Sequence, residues 1–318
     1  MNLPGKSMIE NAAARVRSVF GPTPQYAWPL LSARIGTEVW VKHENHTPIG
    51  AFKIRGGLAY MDSVEADTVI AATRGNHGQS IAMAAGLAGK RTVIAVPECN
   101  SREKNAAMKA FGAELVVHGE DFQDAYDYVR ERAARDEFHL VPSFHELLVA
   151  GVATYSVEFL SAVPDLDVVY VPIGLGSGIC GAVTAREMLG KTTEIVGVVA
   201  EQAPAYALSF LARHPVSTNS AETIADGVAC RQVDPAALEV ILTHVTRVVT
   251  VSEAEIRNAM RWYFMDTHNV VEGAGAAPLA ALMKEREAAK GKTVGIVASG
   301  GNVDTDVFCR VLAAGEES

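Results

Sequence analysis

Residues 43–57 read His43-Glu44-Asn45-His46-Thr47-Pro48-Ile49-Gly50-Ala51-Phe52-Lys53-Ile54-Arg55-Gly56-Gly57. Lys53 follows a Pro/Gly turn and stands between Phe52 and Ile54 at the predicted start of a helix. Apolar surroundings of this kind withdraw water from an ammonium group and lower its pKa, which suits a lysine that reacts as an amine. The same residues also fit an ordinary surface lysine in a first helical turn. The stretch alone leaves both interpretations open.

Composition limits the class of protein. The chain has 318 residues, long enough for two lobes with their own cores, and its net charge of -9 argues against a nucleic-acid-binding surface. No run approaches 18 apolar residues, and residues 1–10 lack the pattern of a signal peptide. The four cysteines are far apart, with no C-x-x-C pair: Cys99, Cys180, Cys230 and Cys309. They predict reduced, individually buried thiols of a cytoplasmic protein.

Predicted strands and helices alternate along most of the chain. Strands are predicted at residues 38–41, 68–72, 92–96, 114–117, 168–171, 194–200, 247–251 and 293–298. Helices are predicted at 76–88, 102–111 and 121–135, and shortly after Lys53. Residues before about Leu31 are predicted only as a proline-containing leading segment. Alternating units of this kind predict parallel sheets with right-handed crossovers.

Three further motifs each follow a predicted strand and open a predicted helix. They are Thr73-Arg74-Gly75-Asn76-His77-Gly78-Gln79, Gly174-Leu175-Gly176-Ser177-Gly178-Ile179-Cys180-Gly181 and Ala298-Ser299-Gly300-Gly301-Asn302-Val303-Asp304. Backbone N–H groups at such turns have no helical partner, so they can hold a carboxylate or a phosphate. Each motif also has a plain structural interpretation: Asn76 or Asp304 as a helix cap, and the glycine run as a tight turn.

The glycine run has a further interpretation. Gly176-x-Gly178-x-x-Gly181 fits a dinucleotide-binding fingerprint, and Glu201 ends the next predicted strand where a ribose-binding acid would stand. The run could equally hold a phosphate group of another cofactor, because glycines allow close backbone approach and a helix N-terminus favours a dianion. The run by itself does not separate an NAD site from such a site.

Taken together, the F-K-x-R-G run and the three motifs resemble the serine/threonine dehydratase branch of the fold-type II pyridoxal phosphate (PLP) enzymes. Family members carry S-F-K-x-R-G, S-x-G-N-H-x-Q, a run of four glycines and S/C-G-G-N, in this order along nearly the whole chain. This sequence departs from the pattern at Ala51, at Arg74 and in its interrupted glycine run. The resemblance favours PLP over NAD, since a dinucleotide enzyme needs neither Lys53 nor Asn76.

The resemblance implies a fold and a set of site residues. The expected α/β fold has two lobes, each with a twisted, mostly parallel sheet flanked by helices. Residues 1–67 and 146–318 would form a large PLP-binding domain and residues 68–145 a small domain. Lys53 would be the catalytic residue. The expected cofactor-binding residues are Lys53, Phe52, Asn76, Gly174, Leu175, Gly176, Ser177, Gly178 and Ser299. The expected substrate-binding residues are Thr73, Arg74, Gly75, Asn76 and His77.

The activity implied by the resemblance is elimination of water from a β-hydroxy α-amino acid, giving a 2-oxo acid and ammonia. Serine, threonine, 3-hydroxyaspartate and phenylserine all fit, and a homodimer is expected. A racemase would need an acid/base on the second face of the α-carbon, which Arg74, always protonated near neutrality, cannot supply. A β-replacing synthase and a PLP-binding protein without turnover also remain open.

No metal site is predicted. Some relatives bind a divalent ion through a glutamate and an aspartate six residues later, whereas here Glu201 is followed at that spacing by Ala207. His43 and His46 alone supply too few ligands. Glu272 lies in a segment that resembles one beside the family's active site, but the sequence assigns it no role.

Overall fold

The computed structural model describes residues 3–316, and their strands form two separate sheets. The strands are β1 (Gln25–Ala27), β2 (Glu38–His43), β3 (Thr68–Ala72), β4 (Arg91–Val96), β5 (Glu114–Val117), β6 (His139–Leu140), β7 (Val168–Pro172), β8 (Glu194–Ala200), β9 (Arg247–Val251) and β10 (Thr293–Ala298). The larger sheet has the order β1-β2-β10-β7-β8-β9 and the smaller sheet the order β5-β4-β3-β6. All neighbouring strands are parallel except β1 and β2.

Helices occupy most connections between the strands. They are α1 (Lys6–Arg17), α2 (Pro29–Ile35), α3 (Lys53–Met61), α4 (Asn76–Leu87), α5 (Arg102–Ala110), α6 (Phe122–Asp136), α7 (Glu146–Ala162), α8 (Ser177–Met188), α9 (Ala205–Ala212), α10 (Pro235–His244), α11 (Glu253–Thr267), α12 (Gly273–Lys284) and α13 (Thr305–Ala313). Within residues 3–316, no helix is both long and apolar enough to cross a membrane.

The predicted fold class is confirmed. Central strands such as β7 are buried along their whole length, as expected for a parallel sheet covered by helices on both faces. All four strands of the smaller sheet lie within residues 68–140, inside the range predicted for a small domain. The assignment of residues 68–145 to a separate domain stays a prediction.

Two predictions need correction. The leading segment contains helix α1, helix α2 and the antiparallel strand β1, none of which was predicted. The thiols are not all buried: all four are free cysteines, but Cys99 and Cys309 are exposed and only Cys180 is fully buried. The other two features predicted for the cysteines, separation and absence of pairing, agree with the structure.

Helix α3 is held from two sides. It packs so closely on α7 that a Cβ atom at Gly151 would lie 2.2 Å from the carbonyl oxygen of Arg55, so this crossing requires glycine. The fully buried Arg55 guanidinium donates to Glu44 at 2.7 and 2.9 Å and to Glu158 at 2.8 and 2.9 Å. Burial opposes its charge, but the two carboxylates outweigh burial and raise the pKa of Arg55. Lys53, two residues away, therefore starts a rigidly anchored helix.

Candidate active site

The carboxyl ends of strands from both sheets open onto one cavity with a volume of about 520 Å³. Every site residue predicted from the sequence lines this cavity: Phe52, Lys53, Thr73, Arg74, Gly75, Asn76, His77, Gly174, Leu175, Gly176, Ser177, Gly178 and Ser299. Loops that follow the carboxyl ends of parallel strands gather at one edge of a sheet, which explains why motifs far apart in sequence meet here.

Lys53 is the first residue of α3. Its ammonium Nζ donates to the Ser177 hydroxyl at 3.0 Å and lies 5.1 Å from the centroid of the Phe52 ring. Burial lowers the pKa of Lys53 to about 8, with a small opposing influence from Cys230. About a tenth of the amine is therefore neutral at pH 7 and about half at pH 8, and the neutral form is the one that nucleophilic chemistry at lysine requires.

The glycine run forms the turn between β7 and α8. Gly176 has φ +106°, and a Cβ atom there would lie 2.5 Å from Cβ of Ala237, so the turn requires glycine at this position. Among the described residues, no acceptor contacts the backbone N–H of Ser177 or Gly178 at the start of this 12-residue helix. Free N–H groups and the helix dipole make this turn an anion-binding site.

A second anion site lies at the start of α4. The Thr73 hydroxyl accepts from the N–H groups of Gly75 at 3.0 Å and Gly78 at 3.2 Å, which folds the loop back on itself. The N–H groups of Asn76 and His77 have no acceptor within residues 3–316. The capping position of α4 is Gly75, so the structural interpretation of Asn76 as the cap is wrong.

The Asn76 side chain is fixed by two neighbours across the cavity wall. Its amide Nδ2 donates to Oε1 of Glu272 at 2.6 Å, and its Oδ1 accepts from Asn302 at 2.8 Å. Asp304 occupies the predicted capping position of α13, but its side chain makes no capping hydrogen bond to the helix and instead accepts one from the Ser101 hydroxyl. Asn76 is thus held in one orientation at the start of α4.

His77 is an uncharged histidine in the cavity wall. Burial, and secondarily the charge of Lys53, lowers the pKa of His77 to about 3. Its Nε2 atom is buried and has no hydrogen-bond partner in the described chain. A buried polar atom without a partner is uncommon in native proteins and is often satisfied by a bound molecule.

Ser299 follows β10 and is only 4% exposed. Its carbonyl oxygen accepts from the N–H of Phe52 at 3.0 Å, and a β-bridge joins Ala51 to Gly300. These contacts tie the serine turn to the segment that carries Lys53. The two motifs are therefore positioned as one unit.

Sequence reasoning did not find Lys104. This lysine lies on α5 with a side chain only 7% exposed, 3.0 Å from Asp226 and 3.5 Å from Glu272. All three residues line the cavity. A signal was present, because Lys104 precedes the buried Met108 by one helical turn and so belongs to the buried face of α5. The partners could not be foreseen, since they lie far along the chain.

The sequence profile of the family described as pyridoxal-phosphate dependent enzyme matches residues 16–300. The chain belongs to this family. The predicted recognition, a serine/threonine dehydratase-like PLP-dependent lyase, is confirmed, and the predicted cofactor with it. The dinucleotide interpretation of the glycine run is thereby set aside.

Several known proteins resemble this PLP-dependent enzyme. It is 35% identical to L-threonine ammonia-lyase of Geobacter sulfurreducens over 97% of this chain and 78% of that protein. It is 30% identical to L-threo-3-hydroxyaspartate ammonia-lyase of Saccharomyces cerevisiae over 100% of this chain and 99% of that protein. Among solved structures, maize serine racemase superposes with a TM-score of 0.91 at 26% identity, covering 98% of each chain.

The residues of this PLP-dependent enzyme fit the cofactor. Lys53 supplies an amine of lowered pKa, and the start of α8 supplies free N–H groups suited to a phosphate. Ser299 supplies a buried hydroxyl, and Asn76 a fixed amide. An amine, an anion site and two neutral hydrogen-bonding groups in one cavity match the aldehyde, phosphate and ring heteroatoms of PLP.

Proposed function

We propose that this PLP-dependent lyase eliminates water from a β-hydroxy α-amino acid and releases a 2-oxo acid and ammonia. The observation that carries the proposal is the presence of Lys53, with a pKa lowered to about 8, in one cavity with the free N–H groups of two helix starts. The ammonia-lyase names of two relatives support the reaction class.

The cofactor would be held by residues from three turns. The N–H groups of Ser177 and Gly178 would bind the phosphate, Asn76 the ring oxygen, and the Ser299 hydroxyl the ring nitrogen. When bound, PLP supplies an electron sink for the α-carbon. Because Ser299 is neutral, it does not hold the ring nitrogen protonated as an aspartate would, which favours rapid loss of a β-leaving group.

The substrate would be positioned by the start of α4 and deprotonated by Lys53. The N–H groups of Asn76 and His77 would bind the α-carboxylate, which orients the α-carbon. The neutral Lys53 amine would take the α-proton, a role that a pKa near the working pH permits. The α C–H and β C–O bonds break and water leaves; the released enamine then takes up water to give the 2-oxo acid and ammonia.

The test is an assay of the PLP-reconstituted protein with L-serine, L-threonine, L-threo-3-hydroxyaspartate and phenylserine. We expect equal amounts of 2-oxo acid and ammonia from at least one of them. Lys53→Ala is the control, and we expect it to lose about 10²–10⁴-fold in kcat, because the base is removed. Absence of 2-oxo acid from all four substrates would contradict the proposal, as would equal turnover by Lys53→Ala.

A racemase is the second candidate, favoured by the likeness to the solved serine racemase. Arg74 opposes it, because a racemase needs a group that returns a proton to the second face, and a guanidinium remains charged throughout. We therefore expect that, after incubation of L-serine with the enzyme in deuterated water, the recovered serine contains no D-isomer. A deuterated D-serine product would establish racemisation. A new product in the presence of added thiol would instead indicate a β-replacing synthase.

Five finer proposals accompany the function. The thirteen site residues predicted from the sequence, all of which line the cavity, are proposed as the site, a homodimer as the assembly, and residues 68–145 as the small domain. The net charge of -9 supports the absence of a nucleic-acid partner. Four unpaired cysteines support a cytoplasmic location. Light scattering of the purified protein measures the assembly directly.

A further inference from the structure

The charged residues of the cavity wall can be matched with one another. The cationic residues are Lys53, Arg74, Lys104 and Arg231, and the acidic residues are Asp121, Glu222, Asp226 and Glu272. Lys104 is paired with both Asp226 and Glu272, while Arg231 lies 3.5 Å from Asp121. Lys53 is assigned to the cofactor and to proton removal. Two charged residues of the wall are left, Arg74 and Glu222.

Arg74 is an exposed guanidinium that makes no hydrogen bond or ion pair with any residue from 3 to 316. It therefore has no protein acid outside the site as a partner, which removes the plain structural role for this arginine. Glu222 is likewise exposed and unpaired in the described chain. The cavity thus keeps one arginine available for an anion.

The position of Arg74 in the chain indicates which anion it meets. Arg74 immediately precedes Gly75, the capping residue of α4, and so adjoins the free N–H groups of Asn76 and His77. A substrate whose α-carboxylate occupies that helix start presents its side chain close by. The cofactor phosphate is served by a different element, the start of α8.

We propose that Arg74 binds a second carboxylate on the substrate side chain, so that the preferred substrates are acidic β-hydroxy α-amino acids of the 3-hydroxyaspartate class. The inference rests on the proposed function and deepens it. A guanidinium suits this role, since its planar fork can donate two parallel hydrogen bonds to one carboxylate and stays charged at every working pH. The same α C–H and β C–O bonds break and water leaves. After the enamine takes up water, the products are a four-carbon 2-oxo dicarboxylic acid and ammonia.

The test compares kcat/KM of the holoenzyme for L-threo-3-hydroxyaspartate and L-threonine in wild type, Arg74→Gln and Arg74→Lys. We expect Arg74→Gln to lose on the order of 10- to 100-fold more on hydroxyaspartate than on threonine, a range below that of fully buried pairs because Arg74 is exposed. Arg74→Lys should retain part of the preference, because it keeps the charge without the fork.

A binding measurement separates recognition from turnover. L-Aspartate and L-alanine lack the leaving group, and their inhibition constants against threonine turnover report affinity alone. Arg74→Gln should weaken the binding of aspartate relative to that of alanine. The factor should equal the one by which it lowers kcat/KM for hydroxyaspartate relative to threonine. Glu222→Gln should shift the preference in the opposite direction, toward acidic substrates, since a like charge is removed. Arg17→Gln, an exposed arginine outside the cavity, is the matched control and should change neither ratio.

The outcomes distinguish this inference from the proposed function. If wild type forms no 2-oxo acid from any β-hydroxy amino acid, the proposed function is wrong. If it acts on threonine and Arg74→Gln leaves the hydroxyaspartate-to-threonine ratio unchanged, only the role of Arg74 is wrong. Equal losses on all substrates with a raised dissociation constant for PLP would assign Arg74 to the phosphate and would likewise overturn the inference.

Discussion

At the scale of single residues, Lys53 shows how surroundings create reactivity. The side chain lies against Phe52, and within residues 3–316 it donates only to the neutral hydroxyl of Ser177, so little compensates the charge for lost water. Burial consequently lowers its pKa to about 8. An exposed lysine keeps a pKa near 10.4 and would be almost entirely charged at the same pH.

This lowered pKa predicts how the apoprotein captures PLP. The reaction requires the neutral amine, whose fraction grows as pH rises through the pKa. We therefore expect the rate of cofactor capture to rise with pH, to reach half of its maximum near pH 8 and to level off at higher pH. The visible absorbance of the lysine-bound cofactor follows this rate. A rate that still climbs up to about pH 10 would indicate an unperturbed lysine.

At the scale of elements, the site depends on how closely α3 approaches α7. The crossing at Gly151 leaves no space for a Cβ atom, because the Arg55 carbonyl oxygen would lie 2.2 Å from it. The opposite case is Gly86 in α4, where the nearest atom to an added Cβ would be 3.7 Å away. The two glycines therefore form a matched pair for substitution by alanine.

We expect Gly151→Ala to destabilise the protein by about 1–3 kcal/mol, because it forces the two helices apart. The shift should also weaken PLP binding, since Lys53 starts the displaced helix. Gly86→Ala should instead stabilise the protein by up to about 1 kcal/mol, because alanine restricts the unfolded chain and favours a helix. Urea unfolding and PLP titration measure both effects. A neutral Gly151→Ala variant would show that the crossing can relax.

The success of sequence reasoning followed the strength of each local signal. Strands β3, β5, β8, β9 and β10 begin and end where predicted, because apolar runs bounded by turns identify buried strands. The site motifs were predictable since each combines special residues with a strand end. Helix α1 was missed, as its capping residue Gly5 offers no side-chain cap, although Ile9, Ala12 and Val16 follow a helical spacing. Strands β1 and β6 were also missed, because runs of only three and two residues are too short to show a strand pattern.

At the scale of the whole molecule, contacts between the two sheet regions close the cavity. Lys104 of α5 reaches Asp226 and Glu272, which belong to the part of the chain around the larger sheet. Two hydrogen bonds also join the two regions. The Ser101 hydroxyl donates to Asp304, and the N–H of Thr305 donates to Glu103 at 2.9 Å. No local pattern could reveal them, because each depends on how the two regions meet.

The ion cluster at Lys104 gives the last prediction, Lys104→Met. Burial raises the pKa of Glu272, and Lys104 partly counteracts this shift. Without the lysine, the pKa of Glu272 rises further above its unfolded value, so the variant loses stability as pH rises through that pKa and regains it below.

We expect Lys104→Met to lose roughly 3–5 kcal/mol of stability at pH 8, because one partner of a buried pair is removed. The loss should be smaller at pH 5, because a carboxyl group with a raised pKa takes up its proton at a higher pH than an ordinary one. Thermal unfolding at both pH values measures the difference, with Arg310→Met as the control, since its pair with Asp306 is exposed and should contribute nothing resolvable. A loss that stays constant between the two pH values, or grows at pH 5, would show that Lys104 stabilises the closed cavity through packing of its stem rather than through its charge.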